Sequence, residues 1–175
     1  MQAVMVVAHP DDCIIFGWAI FNKMKDWDWR IVYLTYTEDS PRGQEISKFW
    51  QEFSVPVSFC GVNDNYQDLA TGRLSFDYDT ASNELLSYLQ PADVIVTHNS
   101  QGEYGHPHHI FVNNVLQNIG TQKIYFSSPD KSTNMITVPE LPDLEKLPLH
   151  KNVIQMMPPV NTAWYQFEGD NTWDL

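Results

Sequence analysis

An α/β fold of Rossmann-like type, with a largely parallel sheet covered by helices on both faces, is predicted from three observations. Apolar runs of strand length alternate along the chain with stretches of helical length. The first run, residues 3–8 (AVMVVA), carries no polar residue, as expected of a strand buried on both faces. Two short histidine-rich clusters each follow such a run, at His9 to Asp12 and at His106 to His109. Strands alternating with helices imply right-handed crossovers and parallel pairing.

The elements follow in order. After the strand at 3–8, residues 12–25 read as one helix, with Ile14, Ile15, Trp18, Ile20, Phe21 and Met24 on its buried side. Residues 31–36 (IVYLTY) form a second strand and roughly 42–53 a second helix. A weaker strand covers about 55–60, and a polar loop rich in Asn and Asp leads to a helix at 79–89. Residues 93–97 (DVIVT) form a fourth strand, followed by a loop and a helix at about 107–118. The last core strand is 123–127 (KIYFS). Six of the eleven prolines then fall between Pro129 and Pro159. That shift marks 129–175 as an irregular, Pro-rich excursion over the core of 1–128, with a short strand at 153–156.

One domain is expected over 1–175, since 175 residues suffice for one sizeable core. A hydrophobic content of 43% belongs to a globular chain rather than a disordered one. The net charge of -12, with no lysine or arginine cluster, argues against a nucleic-acid or anionic-membrane partner. No apolar run reaches the roughly 20 residues of a membrane span. The N-terminus shows no leader pattern, and Cys13 and Cys60 are too few for a disulfide framework, so a cytoplasmic protein is expected.

Fold and clusters converge. Ligands of open α/β sheets bind beyond the carboxyl ends of the strands, where strand order reverses. With the order 3-2-1-4-5, strands 1 and 4 are neighbours across that reversal, and the clusters following them face one crevice. Catalytic zinc takes three protein ligands and leaves a position for water. His9 and Asp12, three residues apart across a strand-to-helix turn, can reach one ion, and His109 supplies the third ligand. Two imidazoles and one carboxylate leave net positive charge, which favours ionisation of water on the ion, to a pKa of about 7. Asp11 is placed to accept the water's proton as general base. His106 can donate to the oxyanion or protonate the leaving amine. Taken alone, His-Pro-Asp-Asp also suits the first turn of a helix, where Pro and Asp are favoured. The pairing of both clusters at one sheet end favours the metal site.

The residues resemble a known family. Ala8-His9-Pro10-Asp11-Asp12 after an apolar strand is similar to the AHPDD signature of the PIG-L/LmbE-like, zinc-dependent N-acetylglucosaminyl deacetylases. Thr97-His98-Asn99-Ser100-Gln101-Gly102-Glu103-Tyr104-Gly105-His106-Pro107-His108-His109 resembles the family's second signature, and Arg42 and Glu45 match its Arg-x-x-Glu pair. The resemblance covers residues 3 to about 128. It implies His9, Asp12 and His109 as zinc ligands, Asp11 as base and His106 as the group stabilising the tetrahedral intermediate. Arg42 would hold a substrate hydroxyl or phosphate, the other reading being an ion pair with Glu45. His98, grouped with Arg42 on the substrate side, reads as a partner of the ligands rather than a ligand.

The chain departs from the family pattern at three points. Cys13 stands where the family has Glu, either as a small buried side chain or as a thiol near the metal. His108 stands where the family has Asp, which removes a carboxylate that would orient the neighbouring imidazole and raise its pKa. The chain is also shorter than typical members. The leading function is a zinc-dependent hydrolase that removes the N-acetyl group from an N-acetylglucosamine-like sugar or conjugate, with Fe2+ able to occupy the same ligands. A metal- or sugar-binding protein without useful turnover is the alternative. A nucleotide-binding domain is disfavoured, because no Gly-x-Gly-x-x-Gly pattern follows the first strand. A homo-oligomer is compatible with either reading.

Overall fold

Strand β1 (Gln2–Val7) is central because its side chains divide between two cores. Met5 and Val7 face a cluster with Ile14, Trp18, Phe21, Phe49 and Trp50, while Val4 and Val6 face one with Leu85, Phe111, Val112 and Leu116. Period-two alternation in a strand buried on both sides produces this division. The computed structural model describes residues 1–64, 76–89, 91–132, 134–157 and 159–168.

The remaining elements are α1 (Asp12–Ile15), α2 (Trp18–Lys23), β2 (Asp28–Thr35), α3 (Pro41–Gln51), β3 (Val57–Val62) and α4 (Tyr78–Ser87). They continue with β4 (Val94–Thr97), the kinked turn α5 (Gly102–Gly105), α6 (Pro107–Leu116), β5 (Gln122–Phe126), β6 (Met135–Thr137), α7 (Lys151–Gln155) and β7 (Thr162–Phe167). The seven strands form one sheet in the order β3-β2-β1-β4-β5-β7-β6. Strands β1 to β5 pair in parallel; β7 runs antiparallel to both β5 and β6. The expected order 3-2-1-4-5 is therefore the core of the sheet. No helix among the described residues is long and apolar enough to cross a membrane.

Three expectations change. The helix expected over 12–25 is two short helices, separated at Phe16 and Gly17. A Cβ on Gly17 would lie 2.5 Å from Met5 Sδ and 2.7 Å from the Cys13 carbonyl oxygen, so the break lets the chain press directly onto β1. The short strand expected at 153–156 falls on α7 instead, with Ile154 buried. The Pro-rich tail is also more than an excursion, because β6 and β7 extend the sheet beyond β5. Prolines there interrupt the chain between strands, so composition conceals the short β segments.

The carboxyl end of β1 is fastened from both sides. Thr35 of β2 donates its backbone N–H (3.0 Å) and its hydroxyl (2.8 Å) to the Ala8 carbonyl. Thr97 of β4 donates its hydroxyl to the Val6 carbonyl at 2.8 Å. These bonds fix the strand end from which His9 projects.

Candidate functional site

The two clusters meet at this sheet end. Asp12 Oδ2 lies 3.1 Å from His9 Nδ1 and 3.3 Å from His109 Nε2, and the two imidazole nitrogens are 3.4 Å apart. Donors on a tetrahedral zinc with bonds of 2.0–2.1 Å are separated by about 3.3–3.4 Å. The three atoms thus have the spacing of one face of such a tetrahedron. His9 and Asp12 are 8% and 3% exposed and His109 is fully buried, so water competes little for these donors. Overlapping donor sets also exist at His9, His106 and His109, at His9, Asp64 and His108, and at Asp12, His98 and His109.

Neither aspartate of the first cluster caps α1 through its side chain. Asp12 instead accepts the His9 N–H at 2.7 Å, and Asp11 Oδ1 accepts from Arg42 Nη2 at 3.2 Å. Arg42 is held in the first turn of α3, a helix begun by Pro41 and by Ser40, whose hydroxyl accepts from Gly43 N. The alternative pairing of Arg42 with Glu45 does not form. Glu45 accepts from the Leu149 N–H at 3.0 Å and lies 2.7 Å from His150 Nδ1, tying the tail to α3.

Electrostatics follow from burial against charge. Burial and the neighbouring Asp12 charge raise the Asp11 pKa, while Arg42 and His9 oppose them. Burial also resists ionisation of Asp12, but His109 and His9 overcome it and hold the carboxyl well below the usual range. His9 loses by desolvation and gains more from Asp12 and Asp64, rising to about 9. Burial pushes His106 down to about 3, with further lowering by the charges of His109 and His9. A lowered value was expected from the carboxylate missing at His108; desolvation is the larger cause.

His106 also begins α6. Its Nδ1 accepts the His108 N–H at 3.2 Å, with Pro107 in the first helical position. A neutral ring bonded in this way carries its proton on Nε2. His108 is fully buried, with Nδ1 3.0 Å from His9 Nε2. A carboxylate reaches this corner from elsewhere: Asp64 Oδ1 lies 3.0 Å from His9 Nε2 and 3.7 Å from His108 Nδ1. Tyr36 links Asp64 to Arg42, donating to Asp64 Oδ2 at 2.7 Å and accepting from Arg42 Nη1 at 2.9 Å.

His98 is placed behind the cluster rather than beside a substrate. It is fully buried, its Nε2 accepts the Ala8 N–H at 3.0 Å, and its Nδ1 lies 2.8 Å from Glu103 Oε2. Both ring nitrogens thus face protein groups. Cys13 is also settled as a core side chain. It is fully buried against Tyr33 and Trp50, and desolvation pushes its thiol up to about 12.

Glu103 was missed as a functional residue, although it lies within the second signature. Its Oε2 is 2.6 Å from His109 Nδ1, and its Oε1 accepts the Asn99 N–H at 3.0 Å. Its backbone has φ 56° and ψ -68°, after Gly102 at φ 61°. Such a conformation costs on the order of 1–3 kcal/mol and persists where surrounding contacts fix it. Here the fixed carboxylate sets both imidazoles. Tyr36 and Asp64 were missed too, since a strand-end tyrosine and one acid of a polar loop carry no pattern of their own.

Comparison with known proteins bears on the fold and the family. The chain is 25% identical over 146 residues to the uncharacterized protein L374 of Acanthamoeba polyphaga mimivirus, covering 74% of this chain and 63% of that protein. It therefore spans less than two thirds of the length of that relative. Among solved structures, the fold is similar to the 4-carboxy-2-hydroxymuconate hydratase GalB of Pseudomonas putida, with TM-score 0.59, 13% identity and coverage of 100% and 99% of the two chains. It is equally similar to a deacetylase of teicoplanin biosynthesis, with TM-score 0.59, 11% identity and coverage of 99% and 100%. A zinc-inhibited form of a teicoplanin deacetylase matches at TM-score 0.54 and 11% identity, over 99% and 100% of the chains. The family model PIG-L, described as GlcNAc-PI de-N-acetylase, matches residues 4–119, more than half the chain. The chain belongs to the PIG-L family.

Proposed function

We propose that the protein is a metal-dependent hydrolase that cleaves the N-acetyl amide of an N-acetylglucosamine-like sugar or sugar conjugate. The observation that carries this reading is the triangle of His9 Nδ1, Asp12 Oδ2 and His109 Nε2, with edges of 3.1–3.4 Å. Membership of the PIG-L family supports the amide as the bond broken.

His9, Asp12 and His109 would hold the ion, with Zn2+ as the first candidate and Fe2+ as a second. Such an ion supplies Lewis-acid polarisation and acidifies water. Asp11, its carboxyl made more basic by burial and anchored through Oδ1 to Arg42, accepts the proton of the attacking water. His106, neutral and protonated on Nε2, donates a hydrogen bond to the carbonyl oxygen as negative charge develops there. The C–N bond then breaks, and the proton held by Asp11 passes to the departing nitrogen. The products are acetate and the free amine. Arg42, one quarter exposed, can also meet a sugar hydroxyl or phosphate from the crevice side.

The test pairs metal content with release of free amine from a panel of N-acetylglucosamine conjugates, with and without chelator. One equivalent of metal and chelator-sensitive release is the expected result. Zinc inhibits a deacetylase of similar fold, so activity should be followed through and beyond one equivalent. Bound metal without amine release would instead support a binding protein. No metal after reconstitution would remove the proposed site.

A further inference from the structure

A cavity of about 150 Å³ adjoins the histidine cluster, lined by Ile15, Phe16, Tyr104, Met157 and Trp164 among others. Its walls come from both ends of the chain, since Met157, Ala163 and Trp164 belong to the tail and to β7. The same rings that wall the cavity touch the site. Phe16 lies edge-on to His109 at 6.0 Å between centroids, and Tyr104 is 5.5 Å from His109 and 5.8 Å from His106. Glu103, which sets His109, also lines it. The cavity and the surroundings of the metal-ligand triangle thus share Phe16, Tyr104 and Glu103.

The lining is overwhelmingly apolar, and its volume equals that of an engineered apolar cavity that accepts benzene. Glu103, Ser127, Ser128 and Thr162 are the polar residues on the wall, and Ser127 differs from the rest in one respect. Its hydroxyl is buried and has no hydrogen-bond partner among the described residues, although the residue borders the cavity. A buried hydroxyl without a partner is costly, and a ligand bringing a polar atom beside an apolar body would remove that cost.

We propose that this cavity is a subsite for an apolar arm of the substrate, with the bulk of about six carbon atoms, attached to the sugar. The assignment rests on the amino-sugar hydrolase reading and specifies its substrate further. The arm is either the acyl group of the amide or the aglycone, since both leave the sugar next to His106 and His109. Nucleic acids and free unsubstituted sugars lack such a group. A sugar bearing a short alkyl or aryl chain has it.

Three probes separate the two sources: N-acetylglucosamine, N-hexanoylglucosamine and hexyl N-acetyl-β-glucosaminide. Each is titrated into the full-length, metal-loaded protein while the methyl resonances of Met157 and Ile15 are followed by NMR, and kcat/KM is measured in parallel. One hexyl probe should shift both methyls and gain roughly tenfold or more in kcat/KM over N-acetylglucosamine, a scale set by burial of even a few methylenes. The probe that gains identifies the arm. Ala163→Leu, which narrows the cavity, should abolish the gain and leave N-acetylglucosamine turnover unchanged. Met157→Ala, which widens it, should move the preference to longer chains, and serves if the first variant fails to fold. Hydrolysis of N-acetylglucosamine with no methyl shift and no gain from either hexyl probe overturns the subsite alone. Methyl shifts without amine release from any probe sustain the subsite and overturn the hydrolase reading.

Discussion

Glu103 Oε2 stands 2.6 Å from His109 Nδ1, which turns the other ring nitrogen of His109 toward Asp12 and His9. Carboxylates behind a ligating imidazole fix its tautomer and strengthen it as a donor. Glu103→Gln is therefore expected to weaken metal affinity about 10–100-fold while the fold is retained. Competition with a chromophoric chelator, beside a far-UV circular dichroism spectrum, measures both. Unchanged affinity would show that the ring is oriented by packing alone.

Asp11→Asn separates proton transfer from metal binding. Its amide can still meet Arg42, but it cannot accept a proton. Metal content should stay at the wild-type value while kcat falls about 10²–10⁴-fold. A variant that purified without metal would reassign Asp11 from base to ligand.

Stability of the metal-free protein should peak near neutrality and fall on either side. Desolvation opposes the charge on Glu103, but His98 and His109 lower its pKa from 4.5 to about 2. Its contribution is present above 4.5 and is lost as pH falls toward 2. Desolvation likewise opposes protonation of His9, but Asp12 and Asp64 raise its pKa from 6.5 to about 9. That contribution is full below 6.5 and is lost as pH rises through 9. Burial lowers His106 to about 3, which adds a loss of its own as pH falls below 6.5, so urea midpoints measured in chelator should be highest near 6.5. Glu103→Gln should flatten the Glu103 part of the acid limb, and a variant retaining it would assign that limb to other groups.

Gly17→Ala tests the break between α1 and α2. The new methyl would meet Met5 Sδ and the Cys13 carbonyl well inside contact distance. The sulfur can move; the carbonyl belongs to the backbone and moves only with α1. A loss of about 1–3 kcal/mol is expected for overpacking of this kind. A calorimetric Tm lower by several degrees, with metal stoichiometry intact, is the expected outcome.

Glu45→Ala should loosen the tail. It would leave the fully buried His150 ring and the Leu149 N–H without the carboxylate that now holds them. A cost of about 1–3 kcal/mol follows. Faster proteolysis near residues 149–151 in the variant would register the release, and an unaltered digestion pattern would count against the tether.

The sequence was most readable where one physical requirement dominated. Residues 3–8 lack polar side chains because β1 is buried on both faces, and that pattern placed His9 at the end of a central strand. The parallel order followed from the alternation of elements, and it brought His109 within reach of His9 across a hundred positions. Glu103 was less readable because its importance comes from a backbone bend at φ 56°, which no residue pattern announces. Asp64 is one acid among several polar neighbours, distinguished only by its reach to His9. Ala163 and Tyr165 alternate inward along β7, but that short signal lay within a Pro-rich segment and was overlooked.

The register of β1 on β4 has a consequence for how the protein acquires its chemistry. Ala3 pairs with Val94 and Val6 with Thr97, so the two strands meet only after some ninety intervening residues have been made and folded back. Earlier pairing of β1 with β2 leaves His9 and Asp12 without His109. The full donor set is consequently a product of late, long-range closure, and an ion bound across it would act as a cross-link over the widest loop of the sheet. Metal uptake during refolding would then serve as a clock for that final docking step, distinct from the formation of either half.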